Sequence, residues 1–282
     1  MRQSRAYERR RKIRTRNMRL TRIFVDEDLN SGGVVELARD SAAHVAKVLR
    51  ARSGDELVLF NGDGREFTGA IEAVKGSRVF ASIGAARSVD RESPFKVTLV
   101  QCVPRGDRMD FIVQKATELG VERIVPVLSQ RSVVRLDPAQ AASKQTHWRA
   151  VAISACEQCG RNLLPVVEAP LPLLNYLGAA DASTSSVLRL VLEPERAAES
   201  QRAASEALAG TPVAGALIAI GPEGGFTPEE LDAFNLSSFS RLGLGPRVLR
   251  TETAAIVAIA LLQARFGDMS VLSDRGSRAV RP

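Results

Sequence analysis

The chain of 282 residues is long enough for one large domain or two ordinary ones, and its 45% apolar and 25% charged residues are a globular composition. No run of eighteen apolar residues occurs, which argues against a membrane-spanning helix, and the basic N-terminus lacks the apolar segment of a secretory signal. Three cysteines, Cys102, Cys156 and Cys159, are too few for a disulfide framework, so a reducing cytoplasm is expected.

The net charge of +7 is local. Residues 1–17 hold eight Arg or Lys against one acid, Glu8, so the chain from Met18 onward is neutral. Residues 1–17 read as a disordered basic extension, suited to RNA phosphates if it functions at all. From there, Arg22 to Val25 predicts a strand and Ser41 to Arg52 a helix with Val45, Val48 and Leu49 on one side. Glu56 to Phe60 alternates into the turn Asn61-Gly62-Asp63-Gly64, and strands follow over Arg65–Ala73 and Arg78–Ile83. Short strands, tight turns and one helix predict a small barrel-like β domain over residues 18–90. The charged stretch Asp90 to Pro94 reads as a linker.

Beyond Pro94, strand and helix alternate, which predicts an α/β domain with a mainly parallel sheet over residues 91–268. FKVTLVQCV, VERIVPVLS, SVLRLVLEP and GALIAI have strand length, the last two as near-continuous apolar runs. MDFIVQKATELG and residues Pro138 to Cys159 predict helices. Thr227-Pro228-Glu229-Glu230 predicts a helix start with a capping box. Ser238 to Leu242 and Thr251 to Phe266 give a last strand and a last helix, and residues 269–282 a flexible tail.

Two glycine-rich loops leave two of these strands: Gly221-Pro222-Glu223-Gly224-Gly225 and Leu242-Gly243-Leu244-Gly245-Pro246. Open α/β sheets bind ligands outside the carboxyl ends of their strands, and glycines admit close backbone approach. Neither loop ends in Gly-Lys-Ser/Thr, and Val248 stands where a dinucleotide fingerprint needs glycine. The loops therefore suit something neutral or cationic, such as a nucleoside. The apolar helix that follows, AAIVAIALL, should be buried all round. Thr251 or Thr253 can cap it and Glu252 suits its dipole, whereas Arg250 opposes that dipole and invites a role toward substrate. Cys156-Glu157-Gln158-Cys159 lacks a second cysteine pair for zinc and ends a helix rather than following a strand, so no metal is expected. With only His44 and His147, nucleophilic hydrolysis has little support.

Taken together and in order, RGDRMDFIVQKATELG, EQCGRN, GPEGG and LGLGPRVLRTETA resemble the RsmE family of bacterial methyltransferases, within the SPOUT superfamily, from about Met18 to Gly267. The resemblance implies a PUA-like RNA-binding domain, then a methyltransferase domain with a trefoil knot, acting as a homodimer. It also implies S-adenosylmethionine as cofactor and N3 of one uridine in 16S rRNA as target. The cofactor pocket would draw on Leu192, Ile220, residues Gly221, Pro222, Glu223, Gly224 and Gly225, and Leu242, Gly243, Leu244, Gly245, Val248, Leu249 and Thr253, with the strand end Leu192-Glu193-Pro194 alongside.

Uridine N3 must lose a proton before it attacks a sulfonium methyl. Arg250 suits the developing anion or a phosphate, and Glu252 and Glu223 are candidates for orienting groups or a base, with loss to water left open. RNA contacts are expected from patches: Arg19, Arg22, Lys47, Arg50 and Arg52 in the first domain, and Arg105, Arg108, Lys115 and Arg161 near the second. The competing readings are a non-catalytic RNA-binding assembly factor and a methyltransferase of another RNA.

Overall fold

The computed structural model describes residues 20–179, 186–193 and 213–269. The basic extension, Arg19, Pro194, the side chain of Lys47 and all of the expected tail but Met269 lie outside the described residues. The chain forms two compact units, one reaching Arg91 and taking in Gly160–Leu163, the other formed by Glu92–Cys159 and the chain from Leu164 onward.

The first unit is a five-stranded sheet of β1 (Thr21–Phe24), β2 (Val34–Glu36), β3 (Glu56–Phe60), β4 (Arg65–Lys75) and β5 (Arg78–Ser88), in the order β1-β3-β4-β5-β2. Strand β1 runs parallel to β3, and the other pairs are antiparallel. Between β3 and β4, Gly62 and Gly64 take φ of 90° and 92°, a region that side chains resist, so the predicted turn depends on those two glycines. Strands β4 and β5 run further than expected, and register shifts between Phe67 and Gly69 and between Ile71 and Ala73 bend them over one core of Leu57, Leu59, Phe67, Val79 and Ala81.

The helix expected over 41–52 is shorter. It forms as α1 (Arg39–Ala43) and widens into one π turn over His44–Val48, where the Leu49 amide bonds to the His44 carbonyl five residues back at 3.0 Å. Arg50 then adopts a left-handed φ of 51°, which ends the helix before Arg52. Strand β2 was not expected, because three residues with only Val35 buried leave almost no alternation to read.

Arg22 and Arg161 are not the surface cations the sequence suggested. They are 8% and 5% exposed. Arg22 donates to Glu66 Oε2 at 2.8 Å, to the Arg161 carbonyl at 3.1 Å and to Asn162 Oδ1 at 2.6 Å, and its guanidinium lies 4.8 Å from the Phe60 ring centre. Arg91 also donates to Glu66 Oε2, at 3.1 Å. The alternation of β1 placed Arg22 correctly on a strand but could not show which face carries partners.

The second unit begins with β6 (Lys96–Cys102), α2 (Arg108–Glu118), β7 (Arg123–Leu128), α3 (Pro138–Cys159), β8 (Val166–Val167), β9 (Leu171–Pro172) and α4 (Leu173–Ala179). It continues with β10 (Val187–Leu192), β11 (Gly215–Ile220), α5 (Pro228–Leu236), β12 (Ser240–Leu242) and α6 (Thr251–Phe266). The sheet order is β12-β10-β11-β6-β7-β8, with β9 also on β7, and every pairing is parallel.

Both faces of this sheet are covered, which explains its continuous apolar strands. Val97, Leu99, Ile124, Leu190 and Ile218 pack with residues of α2, α3 and α6, while Val100, Val127, Val191 and Ala219 pack with Phe226, Phe234 and Phe239. Helix α6 has the predicted ends but only one buried side, from Ala254, Ala255, Ala258, Ile259 and Leu262. Leu261 is 56% exposed, so the expectation of all-round burial fails within this chain. No described helix is long and apolar enough to cross a membrane.

Burial alone would raise the Glu66 pKa, but the hydrogen bonds from Arg22 and Arg91 outweigh it and hold the carboxyl below its usual range. A lowered pKa in the folded state stabilises above the unfolded value of about 4.3, and that contribution is lost as pH falls through the folded value. Glu66→Gln should therefore destabilise the protein at pH 7 and flatten its loss of stability below about pH 4.3. Thermal unfolding across pH checks this, and parallel acid limbs in the two proteins would contradict it.

Candidate functional site

Register brings the strand ends to one level. Leu192 of β10 pairs with Leu242 of β12, Val191 with Ala219 of β11, and Ile220 with Gln101 of β6. The chain beyond Gln101, Ile220 and Leu242 therefore emerges on the same carboxyl edge, as three loops that run into α2, α5 and α6.

The 221–227 loop is fixed from two directions. A turn closes it, with the Gly225 amide donating to the Pro222 carbonyl at 2.9 Å and Gly225 at φ 68°. The predicted capping box follows: Thr227 Oγ1 accepts from the Glu230 amide at 3.2 Å, and Glu230 Oε2 from the Thr227 amide at 2.9 Å. Glu230 is 1% exposed, and its second oxygen accepts from the Gln130 amide at 2.7 Å, which ties the loop to the segment after β7. Beside it, Arg131 donates to the Gly224 carbonyl at 2.9 Å. Gln130 and Arg131 carried no sequence signal, since they belong to no motif and act through one backbone amide and one donor to a carbonyl.

The second tie comes from α6. Its N-cap is Arg250, with no side-chain cap, so neither Thr251 nor Thr253 plays the expected capping role. Thr251, 5% exposed, instead donates its hydroxyl to the Gly221 carbonyl at 2.8 Å and accepts from Gln101 Nε2 at 2.9 Å. Thr253 is exposed.

The polar rim is drawn together by Arg108 at the start of α2. Its guanidinium bonds to Glu223 of the glycine loop and lies 3.9 Å from Glu252 Oε1 in the first turn of α6. The other Glu252 oxygen is buried without a hydrogen-bond partner, as is Gln101 Oε1. Arg250 is exposed, with no side-chain partner among the described residues.

Four of the expected cofactor residues, Leu192, Leu244, Gly245 and Leu249, line one depression with Arg247. Pro222 and Gly243 are buried, and Ile220 belongs to the core beneath the loop. Gly224 is exposed, and Val248 stands 82% exposed. Among the expected RNA contacts, Arg50, Arg52 and Arg105 are exposed, while Lys115 is partly buried and bonds to Glu118 at 2.8 Å.

The site residues fit a nucleoside-bearing sulfonium. An apolar wall of three leucines lies beside the Gly245 backbone, as the nucleoside part of such a ligand needs. A Cβ on Gly221 would stand 3.2 Å from the Phe226 ring, so the backbone there is already at close approach. Burial pushes the Cys102 thiol up to about 12, only partly opposed by its hydrogen bond with Ser129, so it is no nucleophile at neutral pH. No group of three or more potential metal ligands occurs among the described residues.

Comparison with known proteins fits this geometry. An RNA methyltransferase domain profile matches residues 91–263, and an RNA methyltransferase PUA domain profile matches residues 37–84. The chain is 33% identical to the ribosomal RNA small subunit methyltransferase E of Mycobacterium bovis, over 89% of this chain and 92% of that one. It is similar in structure to a Legionella pneumophila methyltransferase described with SAM bound, at TM-score 0.80 and 40% identity, covering 89% of this chain and all of that one. A Neisseria gonorrhoeae ribosomal RNA small subunit methyltransferase E bound to S-adenosylmethionine gives TM-score 0.78 and 35% identity, with 89% and 100% coverage.

Glu230→Ala should cost about 1–3 kcal/mol, because it removes the side-chain half of the capping box and leaves the buried Thr227 amide and the part-buried Gln130 amide without their partner. Urea unfolding measures this, and a loss under about 1 kcal/mol would show that the carboxylate is not what holds the loop.

Proposed function

Because the chain belongs to the ribosomal RNA small subunit methyltransferase E family, we propose that it transfers the methyl group of S-adenosylmethionine to N3 of one uridine in 16S rRNA. The observation that carries this reading is the convergence of two glycine loops and the start of α6 on one sheet edge, tied by Thr251 and Gln101. That edge offers backbone and apolar surface for a nucleoside, and it presents charged groups at its rim.

When bound, the sulfonium cofactor supplies an electrophilic methyl group. Leu192, Leu244 and Leu249 provide the wall for its adenosyl part, and the peptide groups of the 221–225 and 242–249 loops provide hydrogen bonds. The target uridine sheds its N3 proton to water. Arg250, exposed and without a side-chain partner among the described residues, stabilises the resulting anion from the mouth of α6. A cation at that position opposes the helix dipole by about 0.3–1 kcal/mol, and an arriving anion offsets the cost. Glu223 and Glu252, both turned toward Arg108, act as orienting acceptors.

Exposed Arg50, Arg52 and Arg105 supply RNA phosphate contacts. The half-exposed apolar side of α6, with Ile256, Val257, Ala260 and Leu261, takes a second copy of the chain, and the 242–250 segment passes through the family's trefoil knot.

Small subunits from a strain lacking the activity, incubated with protein and cofactor, should gain one N3-methyluridine in 16S rRNA, read by nucleoside mass spectrometry. No methyl transfer would favour an assembly factor, and a different modified nucleoside or RNA would overturn the assigned target. Arg250→Ala should slow single-turnover transfer about 100- to 1000-fold with cofactor affinity nearly unchanged. A variant that melts early but transfers normally once folded would sink this role.

A further inference from the structure

We propose that Arg108 is an RNA phosphate contact held in check by Glu223, so that RNA binds by taking Arg108 away from that carboxylate. This rests on the RNA-binding part of the reading above, though not on which nucleoside is methylated.

Arg108 bonds to Glu223, and the two side chains are 40% and 42% exposed. An ion pair as open as this is worth little, because water and salt screen it. It is a contact that a stronger anion can displace. Glu252 is too far from Arg108 for a hydrogen bond, at 3.9 Å, so it cannot hold the guanidinium alone.

A phosphate is the stronger partner. It matches the planar guanidinium fork and arrives as part of a polyanion. Arg108 lies in the first turn of α2, an 11-residue helix whose N-terminal end favours an anion. Arg105, three residues earlier, is exposed as a second cation. Asp107 and Asp110 stand in the same stretch. Asp110 is bound to His147 at 2.7 Å and to the Trp148 ring nitrogen at 3.2 Å, while Asp107 is the N-cap and makes no side-chain cap bond.

The exchange also reaches the methylation site. Once Arg108 turns to phosphate, the Glu223 carboxylate is released at the tip of the glycine loop, beside the start of α6. RNA arrival thereby changes the charge facing the acceptor nucleotide without any movement of the sheet.

The test is a double-mutant cycle read by RNA affinity, with fluorescein-labelled polyuridylate as a generic phosphate ligand and undermethylated small subunits as the specific one. Glu223→Gln should tighten binding about two- to fivefold, the size of an exposed ion pair. Arg108→Ala should weaken binding and lower the slope of log K against log salt by about one. In the Arg108→Ala background, Glu223→Gln should have no further effect.

Equal tightening by Glu223→Gln in both backgrounds would mean a general field effect and overturn the proposal. So would an unchanged salt slope in Arg108→Ala. Arg108→Lys covers the case in which the alanine variant does not fold, because it keeps the charge and should retain the salt slope and the response to Glu223→Gln. Altered polyuridylate binding without methyl transfer to any RNA would support the exchange while defeating the methyltransferase reading. Loss of both would defeat each.

Discussion

The hydroxyl of Thr251 is the contact on which the site depends. It donates to the Gly221 carbonyl at 2.8 Å and accepts from Gln101 at 2.9 Å, so one atom joins β6, the glycine loop after β11 and the first turn of α6. Gln101 and Thr251 are buried, and Gly221 is half-buried. A missing partner there would leave polar atoms unpaired, which costs more than the hydrogen bond itself is worth. The parallel register supplies the other half of the constraint, because it brings Leu192, Leu242, Ile220 and Gln101 to the same edge before any loop is built. The loops then need only short ties, from Thr251 on one side and from Glu230 and Arg131 on the other.

Charge is divided between two kinds of work. Arg22 and Arg91 are spent on Glu66 inside the first unit, and they hold that carboxylate ionised. Arg108 and Arg250 stand at the edge of the second unit, one in an exposed ion pair with Glu223 and one exposed without a side-chain partner among the described residues. The chain beyond residue 17 is neutral, so its affinity for RNA must come from this placement of charge rather than from net attraction.

Much of this was legible in the sequence. The alternation of strands and helices gave the two-part architecture, and α3 and α6 begin and end where their patterns do, because both are long and have clear boundaries. The capping box at Thr227 was readable because it is a local motif with fixed spacing. The tertiary uses of polar residues were not. Thr251 resembled a cap and proved to be a brace, because Gln101, 150 residues away in the chain, reaches it only after folding. Arg22 and Arg161 looked like surface charge, because the pattern of a strand does not reveal a buried acid opposite it. Short β2 and the π turn after α1 fell below the length at which periodicity carries information. The family's motifs pointed to the two loops, whereas the segments that clamp them, around Gln130 and Gln101, lie outside those motifs.

The most direct test of this account is the calorimetric affinity for S-adenosylmethionine of the native protein, Thr251→Ser and Thr251→Val. If the hydroxyl holds the two loops together, serine should bind almost as the native protein does, and valine, of the same shape but without the hydroxyl, should bind about 5- to 30-fold more weakly. Native affinity in Thr251→Val would contradict the claim that this tie builds the pocket.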